Sequence, residues 1–517
     1  MLNLKINYYR GESFLIGTWL SIIPPLLAIT FAILTRKVYL SLFIGILSGA
    51  FIINQFAITS SITEITQTIW SVISDLEWNV PILIFVLLLG GLTSLLSNSG
   101  ATERFSLWAL SRVKTRIAAQ FVTVFTGIAI FIDDYFNSLA VGQIARPITD
   151  AHGISRSKLA YLIDSTGAPI CILIPLSSWG AYVFSLLVQP INEYNLGIEP
   201  FTAFLMIVPA NYYAIMALLI VFITIYWQID FKTMRKHETA ALKNIDHNLR
   251  EEAQKSVIPL NHALDLMLPI LTLVISTIVL FLYSGNYFSS GVSMIEATGE
   301  GNIVSSLVYG GLLSILITAI MYLPSKKLKL KTFIIVFFNG VWKMSGAALI
   351  LILAWSIGSI IENLETGAFL AGLVEGNVAL WLLPVALFLL ACVMAFATGT
   401  SWGTFAIMVP IAVSIIGVIH PEWILPAVGA VLAGSVFGDH CSPISDSTIL
   451  SSVGAECNLM DHVTTQIPYA LTAAGASSIG YIVFGLTSNV FIGLIVSIIV
   501  LISFLFFIKQ KSIPIEA

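Results

Sequence analysis

The sequence predicts an all-α polytopic membrane protein: about 11 transmembrane helices plus two re-entrant hairpins, in two inverted-topology repeats with broken helices. Three observations predict it. First, 57% of the 517 residues are hydrophobic and 10% charged, with a mean hydropathy of +0.94, too apolar for a soluble fold. Second, one spacing occurs twice. Gly91, Gly100 and Asp134 have counterparts 267 residues later in Gly358, Gly367 and Ser401, and Asp164 has one 275 residues later in Asp439. Third, the polar residues at these positions interrupt apolar sequence, as expected where two repeats enclose a site near mid-membrane.

Apolar runs long enough to span a bilayer as helix, roughly 20 residues, lie at 14–34, 38–57, 80–98, 158–188, 203–229, 263–285, 301–323, 345–362, 424–452, 464–486 and 489–508. The stretches 117–147 and 379–419 are too long for one crossing and carry polar centres. Loop charge orients the whole, because cytoplasmic loops retain Lys and Arg. Of the 24 basic residues, 21 fall in alternate loops, from Arg36 and Lys37 to Lys509 and Lys511, while the intervening loops carry acids alone. That alternation holds only if 117–147 enters from the cytoplasm and returns there, with Asp133 and Asp134 at its tip. By the same count 379–419 enters and leaves on the outside, with Thr398 to Trp402 at its tip. The N-terminus then lies outside and the C-terminus in the cytoplasm; Lys5 and Arg10 count against this. Segments 61–78 and 331–344 read as helices lying in the interface. Residues 1–229 form the first repeat, 230–262 a charged, solvated and partly helical cytoplasmic linker, 263–488 the second repeat and 489–517 an added helix and tail.

Helix breakers give the polar centres their meaning. In "GDHCSPISDST", Pro443 removes a donor, and Gly438, Ser442 and Ser445 are weak helix formers; Gly167, Pro169 and Pro175 do the same in "DSTGAPICILIP". The spans 158–188 and 424–452 should each break into half-helices whose freed carbonyls can ligate a cation. An Asp at the centre of a spanning helix costs about 2.5–3.5 kcal/mol, so Asp133, Asp134, Asp164, Asp439 and Asp446 are the candidate cation- and proton-binding groups. Asp133 and Asp446 have the competing reading of helix caps. Asn137, Thr398, Thr400, Ser401, Ser442, Ser445 and Ser447 are candidate oxygen ligands, with backbone bonding in tight turns as the alternative. Oxygen ligands suit sodium, and a desolvated Asp can carry a proton instead. His440 is a candidate proton relay; Trp402 reads as a packing wedge and Glu362 as solvated.

Several classes are set aside. A net charge of −4 with bases confined to loops gives no nucleic-acid footprint. Cys171, Cys392, Cys441 and Cys457 lack zinc spacing and read as packing residues. No nucleotide-binding motif is present, no cleavable leader is expected, and no cofactor is called for beyond sodium and protons. A channel would want repeated ligand rings, and Ser401 with His440 would be the sole nucleophile pair of an enzyme, so neither is expected.

"ATGTSWGTFAIMVPIA" followed by "GDHCSPISDSTILSS" resembles the NhaC-type sodium/proton antiporter family, and the resemblance runs from about Ile82 to Asn489. It implies a secondary transporter in the plasma membrane of a bacterium or archaeon. On the matching motif fall Asp439, Ser442, Asp446 and Ser447, with Thr400 and Ser401 in the facing tip. Members move sodium against protons, and relatives move malate with lactate or amino acids. The expected partners are membrane lipid, sodium, protons, a small organic solute under the alternative reading, and a second copy of the chain.

Overall fold

The computed structural model describes residues 15–35, 37–243, 259–289, 300–366 and 379–511, with isolated positions at 292, 297, 368–369 and 372. Gly367, the N-terminal bases and residues 244–258 of the charged linker therefore lie outside the described residues. Those that are described form helices and turns, without a strand among them. Among the described residues nine helices have the length and apolarity to cross a membrane, ten if one bent pair counts as a span. The chain is a multi-pass membrane protein.

The first half opens with α1 (Ile23–Thr35), α2 (Val38–Ile53), α3 (Ile58–Ile73), α4 (Asn79–Asn98) and the short α5 (Ala101–Leu110). Next come paired helices, α6 (Arg116–Ala129) and α7 (Asp134–Asp150), joined by four residues within 117–147. Thr115 starts α6 by accepting from Ala118 N, and Asp133 starts α7. The run 158–188 is broken twice. α8 (Arg156–Thr166) stops at Gly167, α9 (Ala168–Cys171) is a single turn, and non-helical chain through Pro175 leads to α10 (Ser178–Glu193). Ser177 Oγ accepts from Gly180 N at 2.8 Å and starts α10 afresh.

The stretch 203–229 departs from expectation: it is two helices, α11 (Pro200–Ile207) and α12 (Tyr212–Trp227), meeting at 55°. Pro209 cannot donate, and Asn211 Oδ1 accepts from Ala214 N at 3.3 Å to begin a new helix, so a hydropathy window sees one continuous helix where the backbone bends between two. The linker is partly helical and largely exposed, as expected of a solvated segment, but one buried acid fastens it to the membrane helices. Its described part forms α13 (Lys232–Leu242), docked through the buried Glu238, which pairs with Arg116 and accepts from Ser155 N at 2.7 Å. Beside it Lys158 Nζ lies 2.6 Å from Asp230, against the stacked rings of Tyr161 and Tyr469.

The second half contains α14 (Asn261–Ser284), α15 (Ile303–Tyr322), α16 (Leu330–Lys343) and α17 (Ser345–Asn363). A second helical pair follows, α18 (Leu383–Thr398) and α19 (Ser401–Ile419), then a second broken helix, α20 (Ile424–Cys441) and α21 (Asp446–Ala455). α22 (Leu459–Thr487) and α23 (Val490–Lys511) complete the chain. The order of long helix, helical pair and broken helix thus occurs twice. The halves interlock, since α21 packs on α7 and α8 of the first half, and α16 packs on α4.

Candidate functional site

The turn of each helical pair meets the break of a broken helix, and a cavity of about 240 Å³ lies where they converge. Gly399 explains how close the second turn comes. Its φ is +71°, and a Cβ there would lie 2.7 Å from the Ile444 carbonyl, so a side chain is excluded by conformation and by contact. Thr400 Oγ1 accepts from Gly403 N at 3.2 Å and starts α19, which puts Ser401 at the cavity wall. Across the break, Ser445 Oγ accepts from Thr448 N at 3.3 Å and starts α21.

Asp439 is buried here with both oxygens engaged. Ser401 Oγ donates to Oδ2 at 2.9 Å, Ser445 donates to Oδ1, and Ser445 Oγ lies 2.9 Å from Ser447 Oγ. Asp134, 5% exposed, accepts from Trp179 Nε1 at 2.9 Å through Oδ1. Asp133 takes the cap reading: Oδ1 accepts from the amides of Tyr135 and Phe136, both at 3.1 Å, and Oδ2 from Ser178 Oγ at 2.9 Å. Asp446 does not cap; Ser445 does. Instead Asp446 is exposed to the cavity and accepts from Tyr135 OH at 3.1 Å. The cavity therefore gathers Asp133, Asp134, Thr400, Ser401, Asp439, Asp446 and Ser447 from positions over 300 residues apart.

Other candidates lie elsewhere. Asn137 faces the helix ends: Nδ2 donates to the carbonyls of Gly127 at 2.6 Å and Ile130 at 2.9 Å and lies 3.4 Å from that of Thr166, while the buried Oδ1 has no partner among the described residues. Thr398 Oγ1 bonds Met394 O and Ser442 Oγ bonds Phe396 O, both at the turn itself. These two side chains do not line the cavity. Trp402 packs edge-on to Trp179 and against Tyr182, as a packing wedge should, and it also lines the cavity. Glu362 is exposed, as expected, and pairs with Gln189.

Asp164 is not in the cavity. It anchors a second buried cluster, accepting from Gln466 Nε2 at 2.6 Å, with His462 Nε2 and Thr448 Oγ1 both at 3.3 Å and Ser451 Oγ at 3.4 Å. His440 Nε2 stands 3.9 Å from the same carboxylate and 3.2 Å from Ser165 Oγ, and its Nδ1 lies 2.7 Å from Tyr213 OH. Thr448 joins the clusters, for its Oγ1 is also 3.3 Å from the Asp439 carbonyl. Sequence reasoning passed over His462 and Gln466, although their i, i+4 spacing puts both on one face of α22. It also passed over Tyr39, Tyr135, Trp179 and Lys343 of the cavity wall. Lys343 did carry a signal, because apart from Lys5 and Arg10 it is the one base outside the alternating loops.

Broken helices that meet at a polar cavity inside an all-helical membrane protein define a secondary transporter. The chain belongs to the Na+/H+ antiporter family, whose model matches residues 170–486. It is 42% identical to an uncharacterized protein of Haemophilus influenzae over 99% of both chains. Over 148 residues, 27% of this chain and 30% of the other, it is 33% identical to the malate-2H(+)/Na(+)-lactate antiporter of Bacillus subtilis. Among solved structures it resembles MtrF of Neisseria gonorrhoeae, with a TM-score of 0.52 at 13% identity over 86% of this chain and 84% of that one, a likeness of fold alone.

Proposed function

We propose that the chain exchanges sodium for protons at the cavity aspartates, each site holding one ion or the other in turn. The carrying observation is Asp439, whose two oxygens are bonded by hydroxyls from two separate elements, Ser401 of one turn and Ser445 of one break. Carboxylate and hydroxyl oxygens are hard ligands suited to sodium, and a serine can donate its proton to the carboxylate while its lone pairs face a cation. Loss of sodium leaves a desolvated carboxylate that favours a proton. In this reading Asp134 and Asp446 complete the cation path. Asp164, with His440 and His462, holds a second titratable centre coupled to Asp439 through Thr448.

The two halves act as inverted repeats, 1–229 and 263–488, with the helical pairs re-entrant from opposite faces of a plasma membrane, the N-terminus outside and the C-terminus in the cytoplasm. Alternation of loop charge supports that arrangement, and rocking of one half against the other would expose the cavity to each side in turn.

A second reading, coupled transport of a small organic solute, is favoured by cavity volume. About 240 Å³ far exceeds what one ion and its ligands need. Purified protein in vesicles separates the readings: an imposed sodium gradient should move protons, and Asp439→Asn should abolish the movement. If protons do not respond while a labelled organic solute accumulates, the exchange reading gives way to the second.

A further inference from the structure

The wall of the cavity is chemically lopsided. Among the described residues, four carboxylates face one ammonium group, that of Lys343, and the rest of the wall is rich in aromatic side chains. Two of the acids, Asp133 and Asp439, are bonded at both oxygens by neighbouring donors. The other two are not. Asp134 is 5% exposed, and among the described residues no other residue donates to its Oδ2. Asp446 uses Oδ2 for Tyr135 and leaves Oδ1 open to the cavity. Beside these acceptors stand Trp179, Trp402 and Tyr39.

An anionic solute would find little here. The half-helix N-termini that ordinarily attract anions are already answered, at α7 by the Asp133 carboxylate and at α19 and α21 by the Thr400 and Ser445 hydroxyls. The first residues of α7 and α21 are themselves acids, Asp134 and Asp446, which oppose the positive end of each helix dipole. A protonated amine meets the opposite situation, with open carboxylate oxygens for its N–H groups and aromatic rings for cation–π contact. The volume equals that of about eight waters at about 30 Å³ each, too large for bare sodium and suited to a compact organic molecule.

We infer that the cavity takes a small organic ammonium ion, its charged group held by Asp134 and Asp446 and its carbon skeleton against the Trp179 and Trp402 rings. This rests on the transporter reading of the cavity and names the solute class for its second form. A positive solute competes with sodium and protons for the same carboxylates, so the exchange would be cation for cation.

The test is calorimetric titration of the purified full-length protein with benzylammonium, with benzoate as a probe of matched size and opposite charge, and with sodium chloride. Benzylammonium should bind saturably and be displaced by sodium, benzoate should not bind, and Asp446→Asn should weaken benzylammonium about tenfold, the loss of one charged hydrogen-bond acceptor. Thermal unfolding of that variant should match the parent, because Asp446 is exposed. Benzoate binding as tightly as benzylammonium overturns the inference, as does benzylammonium binding indifferent to sodium and to Asp446→Asn. Sodium binding without benzylammonium overturns it while leaving sodium–proton exchange standing. If folded protein binds neither cation, the transporter reading of the cavity falls with it.

Discussion

Tyr135 and Asp446, 311 residues apart, meet across the two halves of the chain, the phenol donating to Oδ2 at 3.1 Å. One belongs to the first turn of α7 and the other to the first turn of α21, so the bond ties a helical-pair tip of one half to the helix break of the other. Tyr135→Phe removes only the donor. Apparent affinity for the transported cation should shift about three- to tenfold, in line with a single hydrogen bond to a charged group, while thermal unfolding stays unchanged. Unaltered sodium dependence of transport in vesicles would make the contact incidental.

Ser401 and Ser445 reach Asp439 from different elements and should act together. Each Ser→Ala change is expected to raise the sodium concentration for half-maximal transport about tenfold. The double variant should depart from additivity, because both hydroxyls serve one carboxylate. Strict additivity of the two effects in a double-mutant cycle would separate their roles.

Asn137 holds helix ends together through Nδ2. Asn137→Ala strands buried carbonyls and should cost roughly 2–4 kcal/mol, seen as a lower unfolding temperature in detergent. Asn137→Asp should be no better, since an ionised carboxylate can only accept. A stable Asp variant would show that the amide's donors are dispensable.

Gly142 and Gly454 let α7 and α21 touch backbone to backbone, for a Cβ on Gly142 would sit 2.4 Å from the Gly454 carbonyl. A backbone atom cannot swing aside, so Gly142→Ala should cost about 1–3 kcal/mol as overpacking and lower the maximal transport rate by displacing the tip that carries Asp134. Normal stability and rate together would mean that this interface yields freely.

Glu238 lies on the linker helix α13, where burial pushes its carboxyl above the usual glutamate range; Asp230 adds to the rise, and Arg116, Lys158 and Ser155 oppose it. A raised folded value means that the native state holds the proton more tightly than the unfolded chain. The associated stability is therefore full below the ordinary glutamate range and is lost as pH rises through the raised value. Glu238→Gln should flatten that part of the stability–pH curve, measured by denaturant unfolding across pH. Persistence of the full slope in the variant would assign it to another group.

Much of the fold was legible in the chain, because a membrane forces its logic on sequence. Hydrocarbon tolerates only long apolar helices, so hydropathy located α4, α14, α15, α22 and α23 within a few residues. Breakers act locally through missing donors and weak propensity, so Gly167, Pro175 and Pro443 announced the interruptions around them. The bend at Asn211 was less legible, for Pro209 and Asn211 sit inside a run whose average hydropathy hides them.

The sequence by itself determined which residues are costly enough in a membrane to need a purpose, and so named the aspartates of both polar centres and the hydroxyls of the second-half turn and break. Only the tertiary structure decided their partners. It split Asp164 from Asp439 into a separate cluster with His440, His462 and Gln466, spent Asp133 on a cap, and left Asp134 and Asp446 with open oxygens. The physical reason is that desolvation cost belongs to each residue and its neighbours along the chain. Which lone pairs remain free depends on donors that arrive from hundreds of residues away.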